Sequence, residues 1–326
     1  MFVGLATCLA QIILAALNYL FTVRLTPELR IDRKAISLRA TWTMLASGIW
    51  NTVIKLQQIL QNGLSLLIAN LAISPLHMGY LSIAQVVPNA LVNLIGTISG
   101  LFSPEQTKLY AQKHHDALLG ELKAGMRITG LFTNIIVVTL LINGSAFIAL
   151  WQPGQNTRMI YLLMMLTMSG FFFTGIASTL QAVPLLVNKL RNYSLSWLAC
   201  GVLSLAATLV CVKCFNWGIY AVAAIPQFVD IFANVTFVPV YAALCLRLPW
   251  SKFYCVYAQY LVSTILAAAL GSLANTMLSI PQSNWIGLLT SCAITALLTL
   301  ASDLLLLLGK RERTMILRKL MRRSRP

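Results

Sequence analysis

The sequence predicts an all-α fold, a polytopic transmembrane helix bundle of about nine spans, and three observations carry that prediction. Of 326 residues, 58% are hydrophobic and only 10% charged, with a mean hydropathy of +0.79. That is more apolar surface than a soluble core of this length hides. Apolar windows of about twenty or more residues follow one another almost end to end, each long enough for a hydrocarbon layer about 30 Å thick. The remaining charges fall between the windows, mostly on one alternating side.

Span one covers 2–24 and has no charged segment before it, so it does not read as a cleaved secretory signal. A basic loop follows, RLTPELRIDRKAISLR (24–39). Spans two and three cover 41–73 and 76–103. The segment SPEQTKLYAQKHHDALLGELKAG (103–125) sets Leu109, Leu118, Leu119 and Leu122 among charges and is expected to lie as a helix along the membrane surface. Its His114 and His115 have no acidic or cysteine partner at ligand spacing, so a solvated pair is expected and no metal site. Spans four to nine cover 126–151, 158–187, 193–215, 217–246, 254–278 and 284–308, and a basic tail closes the chain. The seven cysteines are scattered in or beside spans and read as small packing residues, Cys211 and Cys214 included.

A net charge of +16 could point to nucleic acid, but the placement of the basic residues points to a membrane. Of 24 lysines and arginines, 21 fall on one face of the nine-span plan: the loops after spans one, three, five and seven, and the tail. Arg158 and Lys213 lie on the other face, and Lys55 is left inside a span. The basic face is expected to be cytoplasmic, which puts the C-terminus inside and Met1 outside. The tail LLGKRERTMILRKLMRRSRP can attract anionic headgroups at about 1 kcal/mol per well-placed charge. Membrane lipids are therefore expected partners, and nucleic acid is not.

Pro88, Pro184, Pro226 and Pro239 lie well inside spans. Breaks of that kind persist in a membrane only where neighbours or a water-filled cavity satisfy the freed backbone groups, which suits bent helices around a cavity. Span two carries Asn51, Lys55, Gln58, Asn62 and Ser65 at spacings of four, three, four and three, hence on one helical face, with Gln57 and Gln61 beside it. Lys55 lies about 21 Å along the axis from residue 41, near mid-bilayer, where a lysine costs about 2.5 to 3.5 kcal/mol. The face should therefore border a wet cavity. Span three repeats the pattern with Ser82, Gln85, Asn89, Asn93 and Gly96, and span seven adds Gln227, Asp230 and Asn234. Asp230 is the expected mid-membrane carboxylate and a natural charge partner for Lys55. Asp303 is expected to pair with the basic tail. The isolated Asn134, Asn143, Asn188 and Asn275 read as hydrogen-bonded joints between helices, of about 0.6 kcal/mol each. The sequence holds no HExxH, GxSxG, P-loop or dinucleotide-binding glycine pattern, and its eight acids are mostly cytoplasmic in this plan. No catalytic residue, metal site or cofactor is expected.

SLRATWTMLASGIWNTV, leading into LLIANLAISPLHMGYLSIAQVVPNALVNLIGTISGLFSPEQTKLYAQ, resembles the first two helices of a lobe in the polysaccharide-transporter (Wzx-type flippase) branch of the multidrug/oligosaccharidyl-lipid/polysaccharide (MOP) flippase superfamily, relatives of MATE exporters. The resemblance lies in the short loop, Gly79-Tyr80 entering a helix, and Phe102-Ser103-Pro104 closing it. NKLRNYSLSWLACGVLSLAATLVCVKCFNWGIYAVAAIPQFVDIFANVTFVPVYA resembles the later pair of helices, with Gly218 at the turn. The resemblance implies that 1–24 is the last helix of a first lobe whose first five helices are lacking, 25–40 a cytoplasmic lobe linker and 41–247 the second six-helix lobe. Residues 248–309 would then be two additional helices and 310–326 the tail.

What the resemblance implies for function is a lipid-linked oligosaccharide flippase of cell-surface polysaccharide (O-antigen-type) synthesis in the bacterial inner membrane, in truncated form. A cavity between lobes would hold the sugar and pyrophosphate of an undecaprenyl-linked oligosaccharide, Lys55 suiting the anionic headgroup and the amides its hydroxyls. Partners would include other polysaccharide assembly proteins or a chain supplying the missing lobe. Two alternatives stay open: a cation-coupled exporter of drugs or small molecules with the same helices, and a membrane polysaccharide polymerase, for which the outward loops are short.

Overall fold

The computed structural model describes residues 2–25, 37–278 and 280–309, and every long element in them is helical. The expected linker (25–40) and tail (310–326) therefore fall largely or wholly outside the described residues. By contacts the chain divides into two units, Met1–Ile49 and Trp50–Pro326. In the first unit, α1 (Phe2–Leu25) ends on Arg24, a cation at the negative end of the helix. It carries exposed Leu9, Ile12, Ile13 and Leu20 around its circumference, the composition of a helix immersed in lipid. The helix α2 (Leu38–Gln58) begins in this unit and ends in the second.

In the second unit α2 runs through a π-helical turn, Ile59–Gly63, into α3 (Ser65–Ala72). The long helices that follow are α4 (Pro75–Gly100), a short α5 (Ser103–Ala111), α6 (His115–Trp151) and α7 (Thr157–Gln181). A one-turn α8 (Val183–Leu186) leads to α9 (Leu190–Lys213) and α10 (Gly218–Phe232). A second π-turn, Ala233–Phe237, joins α10 to α11 (Val238–Cys245), and α12 (Tyr254–Leu278) and α13 (Trp285–Leu306) complete the bundle. Helix starts follow local chemistry. Ser74 caps α4 ahead of Pro75, Asn156 caps α7 by accepting from the Met159 amide at 3.1 Å, and Asn284 caps α13 through Gly287 at 2.8 Å.

Eight helical stretches among the described residues are long and apolar enough to cross a membrane, which makes the chain a multi-pass membrane protein. The region expected as span two, 41–73, is helical too, but Lys55 and its amides make it more polar than the other eight. The largest difference from expectation is the segment 103–125. Leu118 and Leu122, expected on a surface-lying helix, are 1% and 0% exposed, because α6 begins at His115 and carries them at helical spacing into the core. At 37 residues α6 is about 55 Å long, well beyond a hydrocarbon core. His114 and His115 are exposed at its start. Asn188 is no helix joint: it is an exposed turn residue at φ 55° between α8 and α9, a conformation asparagine tolerates.

Two apolar clusters form the core. One gathers the first half of α6, the end of α7, α11 and α12 around Leu122, Ile176, Ala242 and Tyr260. The other gathers α3, α4, the start of α7 and α10 around Ala69, Leu81, Met164 and Val222. The side chains between the clusters are small or polar: Thr133 and Asn134 on α6, Gly170 and Thr174 on α7, Gln227 and Asp230 on α10. Helix α7 is the hub, packing on α4, α6 and α10. Gly170 permits the approach to α10, since a Cβ there would sit 3.2 Å from Gln227 Cα and collide with the Gln227 side chain. Gly170→Ala is expected to cost roughly 1–3 kcal/mol through overpacking, read as a lower thermal unfolding midpoint of the purified protein; an unchanged midpoint would contradict this packing.

The polar joints hold the last two helices. Asn143 Oδ1 accepts from Gln282 Nε2 at 2.8 Å and Ser291 Oγ at 2.6 Å. Asn275 Oδ1 accepts from the same pair at 2.9 and 3.1 Å. Asn143 and Asn275 thus join helices as the sequence led us to expect.

Candidate functional site

A cavity of about 850 Å³ opens in the second unit between the two clusters. Its wall is assembled from the stripes seen in the sequence. Lys55 and Gln58 come from α2, Asn62 from the first π-turn, Gln85, Asn89, Asn93 and Gly96 from α4, Gln227 and Asp230 from α10, and Asn234 from the second π-turn. Spacing of three and four keeps each set on one face, so the amides of two consecutive spans look into one chamber. Pro88, inside α4, also reaches the wall.

Four expected members lie elsewhere. Asn51 is exposed but outside the chamber, whose wall on this helix starts one turn later at Ile54. Ser82 is also outside, donating to its own helix at Gly79 O, 2.8 Å away. Ser65 is buried and donates to Asn62 O at 2.8 Å. The π-turn, closed by Leu64 N to Ile59 O at 3.0 Å, inserts extra chain before α3 and rotates Ser65 off the expected face. Gln61, also buried, stands behind the wall and holds it together. Its Nε2 donates to Pro226 O at 2.9 Å and to Asp230 Oδ1 at 2.8 Å, while its Oε1 accepts from Gln57. This ties span two to span seven at the depth of both π-turns.

The expected Lys55–Asp230 pair does not form. Lys55 Nζ donates to Gln58 Oε1 at 2.9 Å, and Asp230 takes its hydrogen bond from Gln61. The physical reason is the helix face: Gln61 turns toward α10, where it meets Pro226 and Asp230, while Lys55 and Gln58 turn into the chamber. Both groups therefore line one cavity without pairing with each other. On the far wall Asn234 is fixed by Gln181 Nε2 to its Oδ1 at 2.8 Å and by its own Nδ2 donating to Thr174 Oγ1 at 3.1 Å.

Sequence reasoning missed part of this wall. Thr174, Ser178 and Gln181 on α7 have the same four-and-three spacing, and Tyr193 and Trp197 on α9 are four apart, all facing the cavity. The α7 stripe was readable, but its hydroxyls sit among phenylalanines and are short enough to bond their own helix, as Ser178 does to Gly175 O at 2.9 Å.

In chemical terms the chamber offers one ammonium group with Nζ donors, one carboxylate, and amides that both donate and accept, arranged around open volume. If that volume is wet, a cysteine at position 89 should react with a water-soluble thiol reagent. We expect Asn89→Cys to label in the membrane and Val262→Cys, 56% exposed on the outer side of α12, to resist. Equal labelling of the two would contradict an aqueous chamber. No family model, no curated protein and no solved structure matches the chain.

Proposed function

We propose that this chain carries a lipid-linked oligosaccharide across the bacterial inner membrane, as a flippase of surface-polysaccharide assembly with its basic face in the cytoplasm. The observation that carries the reading is the convergence of Lys55 and the amide stripes of three spans on one cavity between two apolar clusters. An ammonium suits a pyrophosphate, and amides with free donors and acceptors suit sugar hydroxyls. The volume falls within the roughly 300–1,000 Å³ of small-ligand sites. Such polar groups are costly at membrane depth and are expected to serve transport. In this reading 41–247 form one transporter lobe, α12 and α13 are the additional pair, and the polyprenyl chain of the substrate stays in lipid.

One observation favours a second reading. Asp230 stands in the cavity wall beside Gln61 with no lysine on it, as a site for a coupling cation would in an exporter of cationic small molecules. Proteoliposomes separate the two. With a polyprenyl-pyrophosphate-linked sugar placed in one leaflet, the flippase reading expects the sugar to reach the other leaflet faster than in protein-free vesicles. Export of a cationic dye with the sugar left in place would support the exporter instead.

A further inference from the structure

A buried carboxyl outside the cavity takes both of its hydrogen bonds on one oxygen. Asp303, on α13, is 0% exposed. Two donors reach it from two other helices, and both go to the same oxygen: Asn134 Nδ2 of α6 at 2.8 Å and Ser263 Oγ of α12 at 2.5 Å, each to Oδ1. Asp303 Oδ2 is buried with no hydrogen-bond partner, and so is Asn134 Oδ1. The amide and the carboxyl thus share one N–H···O bond, and each keeps one buried acceptor outside it. Two acceptors cannot satisfy each other; a carboxylic acid, with its O–H on Oδ2, supplies the missing hydrogen.

From this we infer that Asp303 is a proton-binding site in the α6/α12/α13 interface, separate from the substrate cavity. Its Oδ1 acts as the acid carbonyl that accepts from Asn134 and Ser263, and its Oδ2–H gives the proton that the Asn134 amide oxygen lacks. The surroundings favour a proton over a metal ion. The cavity described above does not reach the site, and among the described residues no cluster of three or more His, Cys, Asp or Glu side chains forms that could hold a metal ion. Titratable and charged groups on the packed helices are few. Tyr260 of α12 is fully buried, stacked on Phe172 at 4.6 Å, and donates to Phe172 O at 3.2 Å. Arg127 of α6, two turns before Asn134, reaches Gln259 Oε1 at 3.4 Å. Among the described residues no cation pairs with Asp303. The expected pairing of Asp303 with the tail concerned residues outside the described range; its partners among the described residues are Asn134 and Ser263.

Infrared difference spectroscopy of the purified full chain tests this without any substrate, so its outcome is independent of the flippase reading. The wild type should show a carboxylic-acid C=O band at neutral pH that disappears on alkaline titration. In an Asp230→Asn background, which removes the other buried carboxyl, the band should persist, and adding Asp303→Asn should abolish it. Ser263→Ala, which removes one donor from the acid carbonyl, should shift the band to higher frequency without abolishing it. A wild-type spectrum unchanged by Asp303→Asn, or a band unmoved by Ser263→Ala, would overturn the proposal. Thermal midpoints in sodium chloride and choline chloride should coincide; a sodium-dependent rise that Asp303→Asn abolishes would assign the site to a metal cation and overturn the proton.

Discussion

Lys55→Ala is expected to weaken binding of a polyprenyl-pyrophosphate-linked sugar by about tenfold to a hundredfold. A hydrogen bond to a charged group contributes about 1.5–3 kcal/mol, and each 1.4 kcal/mol is a factor of ten. Lys55 is exposed to the chamber and, among the described residues, bonded to Gln58, an exposed partner it can exchange for a phosphate, so loss near the lower end is expected. Lys55→Arg keeps the charge and should keep most of the affinity, though a planar fork on a three-methylene stem will not reproduce the point contact. The same substitution should leave the thermal midpoint nearly unchanged, because the side chain carries no core packing. Titration of the labelled lipid into purified protein in nanodiscs checks both variants. Equal affinity of Lys55→Ala and wild type would remove Lys55 from substrate recognition.

Gln61→Leu is expected to have the largest effect on stability, roughly 2–3 kcal/mol. Its amide bonds span two to span seven twice, and removing it strips a donor from both Pro226 O and Asp230 Oδ1 in a buried wall. Leaving a buried acceptor unpaired costs about 1–3 kcal/mol, and more when it is charged. Replacing both partners should cost less than replacing one, so Gln61→Leu with Asp230→Leu should regain part of the lost stability. Thermal unfolding of the three variants measures this. A double variant no more stable than Gln61→Leu would show that Gln61 does not act through Asp230.

Much of the fold was legible because a bilayer demands long apolar windows, and most of them sit within a few residues of the helices found. The early start of α6 was readable in principle: Leu118, Leu122 and Met126 continue at helical spacing into the span, and the charges around them hid that continuity. The cavity stripes on spans two and three were legible because spacing of three and four fixes a face. The π-turns were not, since an inserted residue in the helical register leaves no compositional mark, and they decide where Gln61 and Ser65 point. The partners of Asp303 among the described residues were not legible for another reason. Its partners Asn134 and Ser263 are distant in sequence, and only the packing of α6, α12 and α13 brings them to one oxygen.

On the proposed function, the polar faces of spans two, three and seven border an aqueous chamber that receives a negatively charged glycolipid headgroup. A cryo-electron microscopy structure of the chain in lipid nanodiscs with a polyprenyl-pyrophosphate-linked sugar tests it most directly. The predicted result places a phosphate oxygen about 2.7–2.9 Å from Lys55 Nζ and the sugar against Asn89, Asn93 and Gln227. Acyl tails filling the volume beside Lys55, with the headgroup bound elsewhere, would contradict it.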